Sequence, residues 1–76
     1  MTFQSHCIKN GIELLRDDII FIKKQLAGIP EHLQKPVLTE YCEIWLKGMK
    51  ETDIVYRQQN IGRRKANLYL LEQVHG

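Results

Sequence analysis

The sequence predicts an all-α fold: a small three-helix bundle running up-down-up, with long first and third helices and an irregular turn around Pro30–Pro36. Three observations predict it. An apolar seam of seven-residue period runs through the first third, a broad apolar helical run follows Pro36, and a third stretch beyond Asp53 repeats the three-and-four spacing. Short connections make such helices antiparallel neighbours.

The first element is the clearest. Ile8, Ile12, Leu15, Ile19, Ile22, Leu26 and Ile29 step alternately by four and three, a coiled-coil-like seam. Leu14, Ile20 and Phe21 flank it and widen the apolar face. One helix from about Ser5 to Ala27 fits, with Gly28 as its stop and Pro30 just beyond. Gly11 lies inside it at a cost of about 1 kcal/mol relative to Ala. The seam is longer than one intramolecular partner needs, which leaves room for a homodimer through Ile12, Leu15, Ile19 and Ile22.

Pro30 suits a first helical position, and Glu31 suits the positive end of a helix dipole. Pro36 lacks an amide and clashes with the preceding turn, so a continuous helix from 30 onward is not expected. The expectation is a turn at 30–35 and a second helix from Pro36 to about Lys50. Val37, Leu38, Tyr41, Cys42, Ile44, Trp45, Leu46 and Met49 cover more than half of its circumference, enough for two neighbours.

Thr52 and Asp53 are N-cap candidates for a third helix running to about Val74. On it Ile54, Arg57, Ile61, Arg64, Leu68 and Leu71 form the expected inward stripe. Two arginines on that stripe call for an explanation. Either they pair with Glu40, Glu43, Asp17 or Asp18, a planar fork gripping a carboxylate, or they stay free for phosphate.

The chain of 76 residues makes one helical domain, 1–76. Chains of this size bury only about 60% of the surface they expose when unfolded, so each large side chain counts. An apolar share of 43%, with nine Ile and nine Leu, supplies a modest core. The longest apolar run, Ile19 to Ile22, falls far short of the roughly 18 residues that span a bilayer. Met1 to Asn10 is polar and has no signal-peptide core, so a cytoplasmic location without membrane contact is the expectation. In that setting Cys7 and Cys42 read as buried free thiols.

Function is expected on the basic run. Arg57, Arg63, Arg64 and Lys65 lie in a stretch with no acid between Asp53 and Glu72, although the net charge is only +2. Arg63 and Lys65 fall off the inward stripe and are expected to face water. With Arg57 and Arg64 they make a patch for the phosphates of DNA or RNA, sequence-independent and salt-sensitive. Asn60 and Asn67 add amides able to read base edges, and Tyr56 and Tyr69 add faces for stacking. The first functional expectation is therefore a non-catalytic nucleic-acid-associated accessory protein. The second is a helical adaptor or inhibitor that binds a partner protein through apolar faces, anchored by Trp45, Tyr41 and the first-helix seam. Trp45 otherwise reads as a core anchor.

No catalytic, metal or cofactor site is expected. His6, Cys7, His32, Cys42 and His75 lack the close pairs that preorganise zinc. Asp17 and Asp18 are neighbours rather than carboxylates converging across a cleft, and a thiol at Cys42, among core residues, is inert.

The phrase Arg63-Arg64-Lys65-Ala66-Asn67-Leu68-Tyr69-Leu70-Leu71 resembles a basic helical segment in replication proteins of temperate phages. The Ile29-Pro30 turn with Leu33 and Tyr41 resembles another stretch of those proteins. Together these cover about a third of the chain, and in the larger proteins they lie far apart. The histidine pair and catalytic tyrosines of rolling-circle initiators have no counterpart here. The resemblance implies a small protein of a phage, plasmid or integrated element, not membership of that family.

Overall fold

A computed structural model describes Cys7, Lys9 and residues 11–75. The described residues are all-α and form three helices beyond the short helical stretch at Cys7 and Lys9: α1, Arg16–Leu26; α2, Glu31–Met49; and α3, Val55–His75. Among the described residues no strand occurs, and no helix is long and apolar enough to cross a membrane. The dominant packing is α2 against α3, with α1 lying more lightly on α3.

The continuous first helix does not form. Cys7 and Lys9 are helical, but Gly11 takes φ +85°, and residues 12–15 are not helical. The reason is a glycine stop: the Ile12 amide donates back to the Cys7 carbonyl at 3.1 Å, the long bond of a Schellman motif, with Gly11 in its left-handed position. Both flanking side chains, Cys7 and Ile12, are buried. The helix then restarts at Arg16, where the Asp18 carboxylate accepts the Leu15 amide at 2.9 Å. That is the acidic half of a capping box. The expected beginning near Ser5, like Ile8 and His6, lies outside the described residues.

Gly28 is not the expected left-handed stop; Gly11 alone is a positive-φ glycine among the described residues. α1 ends instead in tight turns, with Gly28 N–H bonding Gln25 O and Ile29 N–H bonding Leu26 O, each at 3.0 Å. The Gln34 side-chain amide donates to the carbonyls of Leu26 and Ile29, capping the end from α2.

Pro36 lies inside α2, which starts five residues earlier than expected. In the second turn a proline removes one backbone bond, the one its amide would have made to His32 O. Pro36 and His32 are both exposed, on the side of the helix where a freed carbonyl costs least. Ahead of α3, Thr52 makes the turn: its hydroxyl accepts the Ile54 amide and its carbonyl accepts the Gln58 side chain.

The core is Cys7, Ile12, Ile22, Ile29, Tyr41, Cys42, Trp45, Ala66 and Leu70. Trp45 is its largest member and is fully buried, with Tyr41 tilted against it at 5.9 Å between ring centroids. The residues expected on the apolar side of α2 are all buried or packed against this core.

Candidate functional site

The inward side of α3 differs from the expected stripe. Gly62, Ala66 and Leu70 are buried, whereas Ile54, Arg57, Arg64 and Leu68 are exposed, with Ile61 and Leu71 between. Small residues decide this. A Cβ placed on Gly62 would come within 2.5 Å of the Trp45 carbonyl oxygen, so α3 approaches α2 on the side that has the least side chain. Apolar spacing identified a face, but it is the face turned away from the core.

Arg63, expected in water, is the cation that packs inward. Its Nε lies 2.9 Å from both oxygens of Asp18, its Nη1 donates to Asn60 Oδ1 at 2.7 Å, and its Nη2 donates to Glu13 O. The guanidinium also lies 5.1 Å from the Trp45 ring. Asp18 is buried, so the pair joins the first turn of α1 to the middle of α3. Lys65 is half-exposed and pairs with Glu51. Asn67 Oδ1 accepts the Tyr41 hydroxyl at 2.7 Å. Four of the six residues expected to meet nucleic acid, Asn60, Arg63, Lys65 and Asn67, are therefore engaged within the chain.

Arg57 and Arg64 are left outside. Neither pairs with Glu40, Glu43, Asp17 or Asp18; Arg57 lies 5.8 Å over the ring of Tyr56, which is 77% exposed. Around them run Ile54 and Leu68, 40% and 55% exposed, with Val55 at 77%. At the far end Leu68, Leu71, Glu72 and His75 line an open, shallow depression. The outcome is a long surface on α3 that is apolar, arginine-bearing and free of acids from 54 to 71.

The residues expected to anchor a protein partner divide. Tyr41, Trp45, Ile12 and Ile22 are enclosed by the chain's own core, Ile19 is half-buried, and only Leu15 is well exposed. Sequence reasoning missed Gln59. Its Oε1 accepts Trp45 Nε1–H at 2.9 Å and the Glu13 amide at 3.0 Å, and its Nε2 donates to Gly11 O. A lone Gln carries no signal in a sequence.

Cys7 and Cys42 are both free and buried, their sulfurs 3.1 Å apart. The hydrogen bond between the two thiols, the largest cause in each case, pulls the Cys7 thiol down and pushes the Cys42 thiol up. Burial, the Asp18 charge and the two sulfurs raise the Tyr41 phenol, with Arg63 opposing. Burial, with Glu40 nearby, raises Tyr69. Among the described residues no group of three or more His, Cys, Asp or Glu converges as metal ligands do.

Comparison with protein-family models, curated proteins and solved structures finds no match to this chain.

Proposed function

We propose that this chain is a non-catalytic helical docking protein whose α3 presents its outward face to a partner protein. The observation that carries this reading is the row Ile54, Arg57, Ile61, Arg64, Leu68 and Leu71. It has the regular spacing of a buried helix face, yet Ile54, Arg57, Arg64 and Leu68 are exposed and Ile61 and Leu71 only half-buried. A contiguous apolar row of this kind is what a helix offers to a groove. Arginine is enriched at such interfaces, and the absence of acids along the row favours a groove rimmed by carboxylates. A second copy of the same face is a poorer fit, because it would bring arginines from both copies together with no carboxylate on either row to meet them. An up-down-up path of the three helices would suit this reading, with α1 and α2 on the inner side of α3.

A photoreactive phenylalanine analogue at position 68, compared with one at exposed Lys35 on α2, tests the reading in cells. One discrete adduct at 68, absent at 35 and lost with Arg64→Glu, is the expected result. Equal labelling at both sites, or none, overturns it; an adduct to a second copy of the chain replaces it with a homodimer.

A second reading, docking to DNA or RNA phosphates, has one observation in its favour: Arg57 and Arg64 have no carboxylate partner among the described residues. Two phosphate contacts give duplex DNA a salt slope of about −1.8, a loss of roughly tenfold between 50 and 200 mM salt. Fluorescence anisotropy with labelled DNA and RNA reads that slope, and no binding at the lower salt removes this reading.

A further inference from the structure

The segment ahead of α1 is tied to the helices at two places. Near α3, Gln59 holds Gly11 and Glu13, and Arg63 holds the Glu13 carbonyl. Near α2, the tie is the contact of two sulfurs, Cys7 against Cys42, 35 residues apart in the chain. We propose that Cys7 and Cys42 are a redox pair that a peroxide converts to an intramolecular disulfide, locking this segment covalently onto α2. This inference is independent of what α3 binds.

Geometry carries it. The sulfurs are already 3.1 Å apart, about 1 Å more than a disulfide bond, so a small side-chain adjustment closes the gap. Both side chains are enclosed in the core, so neither competes for a partner outside the chain. Among the described residues the segment is otherwise held by packing and by the Gln59 and Arg63 bonds to α3. In the cytoplasmic setting expected for the chain, the thiol pair is the resting state, since glutathione keeps thiols reduced.

The chemistry balances in two steps. A thiolate sulfur attacks one peroxide oxygen, the O–O bond breaks, and the departing hydroxide takes up a proton to leave as water. The second thiolate then attacks the resulting sulfenic sulfur, forming S–S and releasing the hydroxyl as a second water. Hydrogen peroxide accepts two electrons, and the two thiols give up two hydrogens. Burial sets the rate: the core around the two sulfurs must open for peroxide to enter.

The test treats the folded full chain with hydrogen peroxide, blocks remaining thiols after unfolding, and maps peptides without reductant. The expected result is one cross-linked pair containing Cys7 and Cys42, a chain lighter by two hydrogens, and reversal by dithiothreitol. Tryptic cleavage after Lys9 should be slowed several-fold in the oxidised chain and unchanged by peroxide in Cys7→Ala. Chain-to-chain disulfides, sulfinic acid at either cysteine, or two alkylated thiols after the native treatment would each overturn the proposal. A guanidine-unfolded sample oxidised in parallel shows that the peroxide was active.

Discussion

Gly48 of α2 and Gly62 of α3 meet backbone to backbone: a Cβ added at Gly48 would lie 2.9 Å from the Gly62 Cα. This crossing lets Trp45 sit under α3, and it decides which side of α3 faces inward. Everything about the outer surface of that helix follows from it, because the apolar row on the opposite side is then left in solvent.

Gly62→Ala is therefore expected to destabilise the fold, although alanine is the better helix former by about 1 kcal/mol. The new methyl meets the Trp45 carbonyl oxygen at 2.5 Å and the indole at 2.6 Å, and backbone cannot swing aside as a flexible side chain can. Overpacking of this kind costs about 1–3 kcal/mol and forces the helices apart. Urea denaturation checks it; a variant as stable as the parent would mean that the helices do not cross here.

The three arginines of α3 are expected to separate cleanly. Arg63→Ala leaves the buried Asp18 carboxylate without its cation and uncovers Trp45, a loss of about 3 kcal/mol. Arg57→Ala and Arg64→Ala remove exposed side chains and should stay within about 0.5 kcal/mol of the parent. Equal losses at all three positions, measured by thermal or urea unfolding, would contradict the placement of Arg63.

The same contrast shows what the sequence made legible. Helical periodicity located all three helices, because it reports a repeating environment along the chain. It could not choose between two faces of α3, since Gly62 and Ala66 carry little hydrophobic signal while determining how closely backbones approach. Nor could it foresee that α2 would run through Pro36, because the cost depends on whether one freed carbonyl reaches water. Gly11 was the readable miss: the Asn10-Gly11 pair is a turn signal that the regular seam of isoleucines outweighed. The partner of Arg63 lies 45 residues away, a distance over which spacing says nothing.

Replacing Gln59 by Leu should loosen the segment ahead of α1 more than the helices themselves. The amide serves Trp45 Nε1, the Glu13 amide and the Gly11 carbonyl together. An unsatisfied indole N–H in the core costs about 1–3 kcal/mol, so a red-shifted tryptophan emission is not expected but a lower unfolding midpoint is. Faster tryptic cleavage after Lys9 at unchanged helical circular dichroism is the specific outcome; unchanged cleavage would show that Gln59 does not hold the segment.

Tyr41 gives the chain a defined weakness in alkali. Burial, foremost, and the charge of Asp18 push its phenol above the usual 10, so the folded state keeps the proton where the unfolded state releases it. Below pH 10 both states hold the proton, and the phenol adds no pH dependence. Above it, ionisation stabilises the unfolded chain alone, and stability falls by about 1.4 kcal/mol per pH unit. Tyr41→Phe removes this liability together with the bond to Asn67 Oδ1, a loss of about 1 kcal/mol at neutral pH. The parent should thus be the more stable protein at pH 8 and lose that lead by about pH 11. Urea midpoints of the two proteins at pH 8, 10 and 11 measure it. Parallel curves across that range would mean that the Tyr41 hydroxyl ionises as freely in the folded chain as in water, which its enclosure beside Trp45 does not allow.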